Sequence, residues 1–284
     1  MRYESPKTTK EAVALLSSEK GSSHILAGGT DLMVRLRMDM IEPDLMVDIK
    51  RIPATREIKK TASGFKVGAA VSGAEMGENK ALVKAWPGLV EATNLIGSDQ
   101  IQSRCTMVGN LCNASPAADS VPAMAAIGAK ANIVGKKRRT IPVEQVVTGP
   151  GATSLAKGEL IESIQLPKGG TNIGDAYLRF IPRTEMDIAV VGVGICLTLS
   201  KGLIKSAKVA LGAVAPTVVV VPEGAAAIIG TKLDDDALEE LATACSDACN
   251  PIDDKRGTVE YRTRVAGVLA KRAAKIAFKR AGGK

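Results

Sequence analysis

Histidine is almost missing from this chain: His24 is the only one in 284 residues, and the aromatics amount to one Trp, three Tyr and three Phe. A single imidazole cannot supply both the base and the ligands that catalytic triads and His-bound metal sites need, so both classes are disfavoured, and the default role of His24 is structural. So few aromatics leave little for stacking nucleic-acid bases. The five cysteines, Cys105, Cys112, Cys196, Cys245 and Cys249, are odd in number, scattered and free of C-x-x-C spacing. That argues against a disulfide framework or a thiolate metal site and for reduced thiols. No run of about 18 apolar residues occurs, and the opening MRYESPKTTKE is polar. Neither a membrane span nor a secretory signal is expected, and the cytoplasm is the expected location. No G-x-G-x-x-G opens a helix and no Walker lysine is present, which disfavours the common Rossmann and P-loop readings.

What is present is an ordinary globular composition, 45% hydrophobic and 24% charged, in a chain long enough for two domains. The net charge of +8 invites a nucleic-acid partner, but the run GKKRRT (135–140) sits between two β-type runs and reads as a solvated hairpin tip, so none is expected. The first half alternates helix and strand signals: a helix in TTKEAVALLSSEKG, buried strands in DLMVDI and FKVGAAV, a capping box at Ser72–Glu75, and a helical pattern over 81–97 opened or interrupted by Pro87. Beyond about residue 170 two long β-rich runs meet at Lys201-Gly202, a hairpin signal. An acidic-capped helix and a basic helix over about 258–281 follow. The boundary is expected near LPKGGTNIG, giving domains 1–170 (subdomains about 1–54 and 55–170) and 171–284.

Two loops rich in small residues stand out. HILAGGTDLMVRL (24–36) places two glycines after an apolar run, and SRCTMVGNLCNASPAADSVPA (103–123) places Thr106, Gly109 and Asn110 before a Ser/Pro/Asp turn. Backbone N–H groups on two such loops can approach a pyrophosphate from both sides, where a Cβ would hold the chain away.

The ordered set LAGGTDLM, TMVGNLCNASPAADSVPA, LIESIQLP, DIAVVGVG and VALGAVAPT resembles the FAD-binding medium subunit of molybdenum hydroxylases, the xanthine dehydrogenase and carbon monoxide dehydrogenase group, over nearly the whole chain. The resemblance implies an α+β architecture: a VAO/PCMH-type FAD-binding fold of two α/β subdomains, then a C-terminal three-stranded sheet with helices. It implies that Ile25, Leu26, Ala27, Gly28, Gly29, Thr30, Asp31 and Leu32 line the FAD phosphates and ribityl region. From the second loop it implies Cys105, Thr106, Gly109, Asn110, Cys112, Asn113 and Ser115, with Asp119 on an adenosine ribose hydroxyl. Asp119 read by its residue type alone is equally a helix N-cap. Ile96 and Ile161 match apolar positions beside the flavin ring, and Arg179 a basic position near it, where a surface charge on a strand is an equal reading.

Two departures stand out. Thr106-Met107-Val108-Gly109-Asn110 has valine where the family usually has the first glycine of T-I-G-G-N, compatible with FAD only if Val108 keeps a negative φ and turns its side chain from the phosphates. Arg179 stands where lysine is common. The cysteine-bearing insert of 4-hydroxybenzoyl-CoA reductases is not seen, so FAD alone is expected in this chain. The resemblance further implies an electron-transfer role, from [2Fe-2S] centres on a small subunit through FAD to an external acceptor. The molybdopterin cofactor would sit on a large subunit, the whole a dimer of heterotrimers. The alternative is a stand-alone flavin oxidase or reductase of the same fold, which would need its own base and substrate pocket.

Overall fold

The structure is a computed structural model that describes residues 1–184 and 186–283. The first sheet is small and parallel, with β3 (Leu45–Asp48) between β1 (Arg2–Glu4) and β2 (Ser23–Leu26). Every residue of β3 is buried, as a central parallel strand covered on both faces requires. β2 is half-buried throughout.

The second sheet is antiparallel, with strand order β4-β5-β10-β6-β7, built from β4 (Ile58–Thr61), β5 (Gly64–Gly68), β6 (Lys130–Val134), β7 (Arg138–Pro142) and β10 (Leu160–Pro167). Ile58, Val67, Ile164, Ala131 and Ile141 lie in register across it on the core face. One step along, Lys59, Lys66, Gln165, Lys130 and Pro142 form the opposite face. The GKKRRT run is indeed a hairpin, but its tip is shorter than expected, because Arg138 and Arg139 belong to β7 and pair with Glu162 and Glu159. The register slips between Ile161 and Ser163, leaving Glu162 as the extra residue of a bulge. Its buried carboxylate accepts hydrogen bonds from Thr9 Oγ1, Lys66 Nζ and Arg138. Thr9 opens the helix Thr9–Ser18, so this bulge fastens the first subdomain to the second.

A two-stranded hairpin, β8 (Val147–Gly149) with β9 (Ala152–Thr153), precedes β10. The capping box at Ser72 forms with both of its reciprocal hydrogen bonds, and Pro87 divides the 81–97 pattern into helices Lys80–Ala85 and Pro87–Asn94.

The C-terminal sheet has four strands rather than three, ordered β11 (Ile173–Phe180), β12 (Val191–Ser200), β13 (Leu203–Gly212) and β14 (Val219–Val220). The added strand pairs only with Ala210 and Leu211 before Pro222 starts a helix, too short a run to show periodicity. Lys201 and Gly202 both take positive φ (53° and 78°), the tight turn that matches strand twist. Helices Val259–Arg280 and Pro222–Ile228 lie on the sheet, and helix Asp235–Asp247 packs against both of them. The buried apolar residues fall into two clusters, one spanning Ala12 to Leu166 together with Tyr177 and Ala210, the other confined to the C-terminal part.

Asp175 on β11 accepts the Leu89 N–H at 2.9 Å while its second oxygen has no partner. Burial pushes its carboxyl up to about 6, and buried Asp119 is raised to about 6 for the same leading reason. Between the ordinary 3.8 and about 6 the folded chain therefore holds more protons at these sites than the unfolded chain. Their contribution to stability is complete at low pH and is lost as pH rises through about 6. Relative to the natural chain, Asp175→Asn should gain up to about 3 kcal/mol between pH 4 and pH 7 and then level off. Melting curves of both proteins across that range check this, and a difference independent of pH would refute it.

Candidate functional site

The glycine loop leaving β2 and the loop before helix Met107–Cys112 meet backbone to backbone. A Cβ added at Gly28 would fall inside the carbonyl oxygen of Arg104, so only glycine permits this contact. Gly29 then turns with φ of +80°, which disfavours any side chain and a β-branched one most. The second loop is held from behind: Gly73 N–H donates to the Cys105 carbonyl, and Thr106 caps its helix by accepting the Gly109 N–H at 2.9 Å.

Between the loops lies a cleft of about 490 Å³, within the range of small-molecule sites. Of the predicted residues it gathers Ile25, Ala27, Gly28, Gly29, Thr30, Asp31, Leu32, Ile96, Cys105, Thr106, Gly109, Asn110, Cys112, Asn113 and Ile161. Leu26, Ser115, Asp119 and Arg179 are not on its wall. Leu26 lies against Gly29, and Ser115 Oγ accepts the Ala117 N–H in the turn after the helix. Asp119 stands at the start of helix Ser120–Ala126 without a side-chain cap bond. Its carboxylate instead accepts Tyr177 Oη–H at 2.9 Å and Arg179 Nη1–H at 2.7 Å, both from β11. This departs from the N-cap reading, and Arg179 is not a surface charge, since its side chain is 7% exposed. The trio ties the second loop to the C-terminal sheet. Burial outweighs the guanidinium in setting the Asp119 carboxyl, and it also drives the Tyr177 hydroxyl well above its ordinary value.

The cleft also takes in residues that sequence reasoning missed as wall: Ser23 and His24 from β2, Arg35, Ile49, Ala69, Gly151 and Thr153 from the β8–β9 hairpin, and Leu155 just after it. Gly-Pro-Gly at 149–151 was the available signal for that hairpin. Gly151 N–H donates to the Ala114 carbonyl, which sets the hairpin against the second loop. Gln102, also missed, is buried and donates through Nε2 to the carbonyls of Asn94 and Ile96, holding the Ile96 segment in place. Val108 meets one condition set for it, lying in the helix without positive φ, yet it borders the cleft while packing in the core.

Among the described residues the charged side chains on the wall are Asp31 and Arg35 alone. Burial pushes the Asp31 carboxyl up, with Arg35 opposing. Burial also raises the Cys105 and Cys112 thiols to about 11 and about 12, so neither carries charge at neutral pH. Asn110 is oriented by Ser120, whose N–H and Oγ–H both donate to its Oδ1, leaving the Nδ2 donors free for a ligand.

A family model described as "FAD binding domain in molybdopterin dehydrogenase" matches residues 1–169, and one described as "CO dehydrogenase flavoprotein C-terminal domain" matches residues 176–277. The chain belongs to the FAD-binding medium subunits of the molybdenum hydroxylase family. It is 30% identical over 279 residues to the carbon monoxide dehydrogenase medium chain of Hydrogenophaga pseudoflava, covering 98% of this chain and 97% of that one. It is 26% identical over 285 residues to the xanthine dehydrogenase FAD-binding subunit of Escherichia coli O157:H7, covering 99% and 97%. Among solved structures it is similar to reconstituted CO dehydrogenase from Oligotropha carboxidovorans, with a TM-score of 0.94, 30% identity and coverage of 99% and 98%. These relatives are components of oxidoreductase complexes. The residues present fit FAD: the cleft joins a bare-backbone turn at Gly29, free amide donors on Asn110 and apolar faces at Ile96 and Ile161.

Gly29→Val should remove FAD binding with the fold retained, since the positive φ is lost at a half-buried loop outside the core. Gly109→Val should do the same by driving a Cβ to within 2.7 Å of Thr106 Oγ1 and breaking the helix cap. Val108→Gly should bind FAD as the natural chain does. Flavin content after gel filtration, read beside the circular dichroism spectrum, checks all three, and stoichiometric flavin in either valine variant would show that the loops do not hold the cofactor.

Proposed function

We propose that this chain holds FAD in the cleft between its two glycine loops and passes electrons from the [2Fe-2S] centres of a small partner subunit to an external acceptor. The observation that carries this reading is the meeting of the loops at Gly28, which sets two runs of donor-bearing backbone around one cleft. When bound, FAD supplies a carrier able to accept electrons singly and release them as a pair. The protein's part is to bind and orient. Loop N–H groups and Asn110 Nδ2 serve the pyrophosphate, Arg35 is the one cation on the cleft wall among the described residues, and Ile96 and Ile161 flank the flavin and limit water. Asp119 and Arg179 act through the second loop, by holding it to the C-terminal sheet. The FAD-binding unit ends near residue 170, and the C-terminal unit from 171 backs it.

The partner face lies beside the cleft. In helix Leu32–Arg37 no residue is buried, and Met33, Val34, Met38 and Met40 are 42% to 66% exposed, interspersed with Arg35 and Arg37. A six-residue helix gains almost nothing from propensity alone, so this one is suited to burial under another subunit. The large subunit carries the molybdopterin cofactor and selects the substrate, in a dimer of heterotrimers. A cytoplasmic setting keeps the five free thiols reduced.

Expressed alone, the chain should bind FAD, undergo chemical reduction and show no hydroxylase activity. Co-expressed with an iron–sulfur and a molybdenum subunit of its own complex, it should form a stable assembly whose flavin bleaches on addition of that complex's substrate. Met33→Glu/Met38→Glu should prevent assembly without removing FAD. Turnover of an organic substrate by the isolated chain would favour the stand-alone oxidase, and assembly of the double variant at the natural level would move the interface elsewhere.

A further inference from the structure

His24 lies on β2 and lines the cleft, half-buried, with a feature that its neighbours there lack. Its Nδ1 is sealed from solvent and has no hydrogen-bond partner. A proton placed on that nitrogen would be a buried donor without an acceptor, and a second proton on the ring would add a charge in a place that water does not reach. Both costs point the same way. The neutral ring keeps its single proton on Nε2, and burial, with Arg35 nearby, holds the imidazole below its ordinary pKa, so it stays neutral at pH 7. No hydrogen bond joins Nε2 to another described residue, and the wall's only other charged side chain is Asp31.

We infer that His24 is a single-tautomer hydrogen-bond donor that presents Nε2–H to an acceptor atom on one of the two nucleoside-like ends of FAD. The inference rests on FAD occupying the cleft as proposed above. The end of the cofactor, not its phosphates, is indicated by spacing: His24 precedes Ala27 by three residues of extended chain, about 10 Å from the turn that faces the pyrophosphate. A neutral donor suits such a position, because carbonyl and ring-nitrogen acceptors are uncharged and an imidazolium would carry a desolvated charge beside them.

Because the chain holds one histidine, protein carrying ring-labelled nitrogen-15 histidine gives just two signals, Nδ1 and Nε2. In the full chain at pH 7, Nδ1 should appear bare and Nε2 protonated, told apart by their couplings to the ring hydrogens. FAD should shift Nε2 and slow exchange of its proton. Of FMN and ADP, the one that reproduces the shift identifies the end contacted. His24→Ala should weaken FAD binding about tenfold. His24→Gln, whose amide nitrogen reaches the Nε2 position, should recover most of that loss, and the shorter His24→Asn should not. A proton resident on Nδ1, an Nε2 signal indifferent to FAD, or full affinity in His24→Ala would overturn the inference. Failure of the natural chain to take up FAD would overturn the cleft assignment itself, and the unmutated sample alone decides that.

Discussion

Everything at the cleft depends on a contact that contains no side chain. Gly28 lies against the carbonyl of Arg104, and the two loops come together only because nothing projects from the first toward the second. The surrounding elements maintain that approach. Fully buried β3 anchors β2 from one side, and the capping box at Ser72 and the Gly73–Cys105 hydrogen bond brace the second loop from the other. The Asp119–Tyr177–Arg179 trio then extends the brace into the C-terminal sheet. Those residues influence the cleft without touching what it holds.

The cleft is electrostatically quiet for a site suited to a pyrophosphate. One arginine and one carboxylate with a raised pKa balance each other on its wall, and both thiols stay protonated. Attraction must then come from oriented neutral dipoles, which need no counter-charge and whose direction is set by the fold. The protein's excess of positive charge lies elsewhere, part of it at Lys59 and Lys130 on the polar face of the five-stranded sheet.

The loops themselves were readable in the sequence because the Gly28-Gly29 pair and a cluster of small residues are local signals, as was the Lys201-Gly202 turn, whereas the Thr106 cap and its six-residue helix were not read. What else escaped was of two kinds, contacts between residues far apart in the chain and strands too short to show a pattern. Asp119 finds its partners 58 and 60 positions later, so its carboxylate looks free in sequence and is spoken for in space. The β8–β9 hairpin is three residues against two, shorter than any periodicity can register. β14 escaped for the same reason. Arg138 and Arg139 read as a solvated tip because nothing local announces Glu162 and Glu159 as their partners.

The bulge at Glu162 puts a phase shift into the longest strand of its sheet. Ile161, on one side of it, faces the cleft, and Glu162 binds Thr9, Lys66 and Arg138 at the seam of two subdomains. A strand of strict two-residue alternation cannot keep apolar residues on the core side both before and after such a seam while also sparing one residue for it. Deleting that residue would restore strict alternation with Ile161 still opposite Ile133 and Ser163 still opposite Asn132, so every side chain would keep its face, and what would go is the carboxylate at the seam. The extra residue therefore serves the seam alone, letting one carboxylate leave the alternation while Ile161 before it and Ile164 after it both stay on the core face.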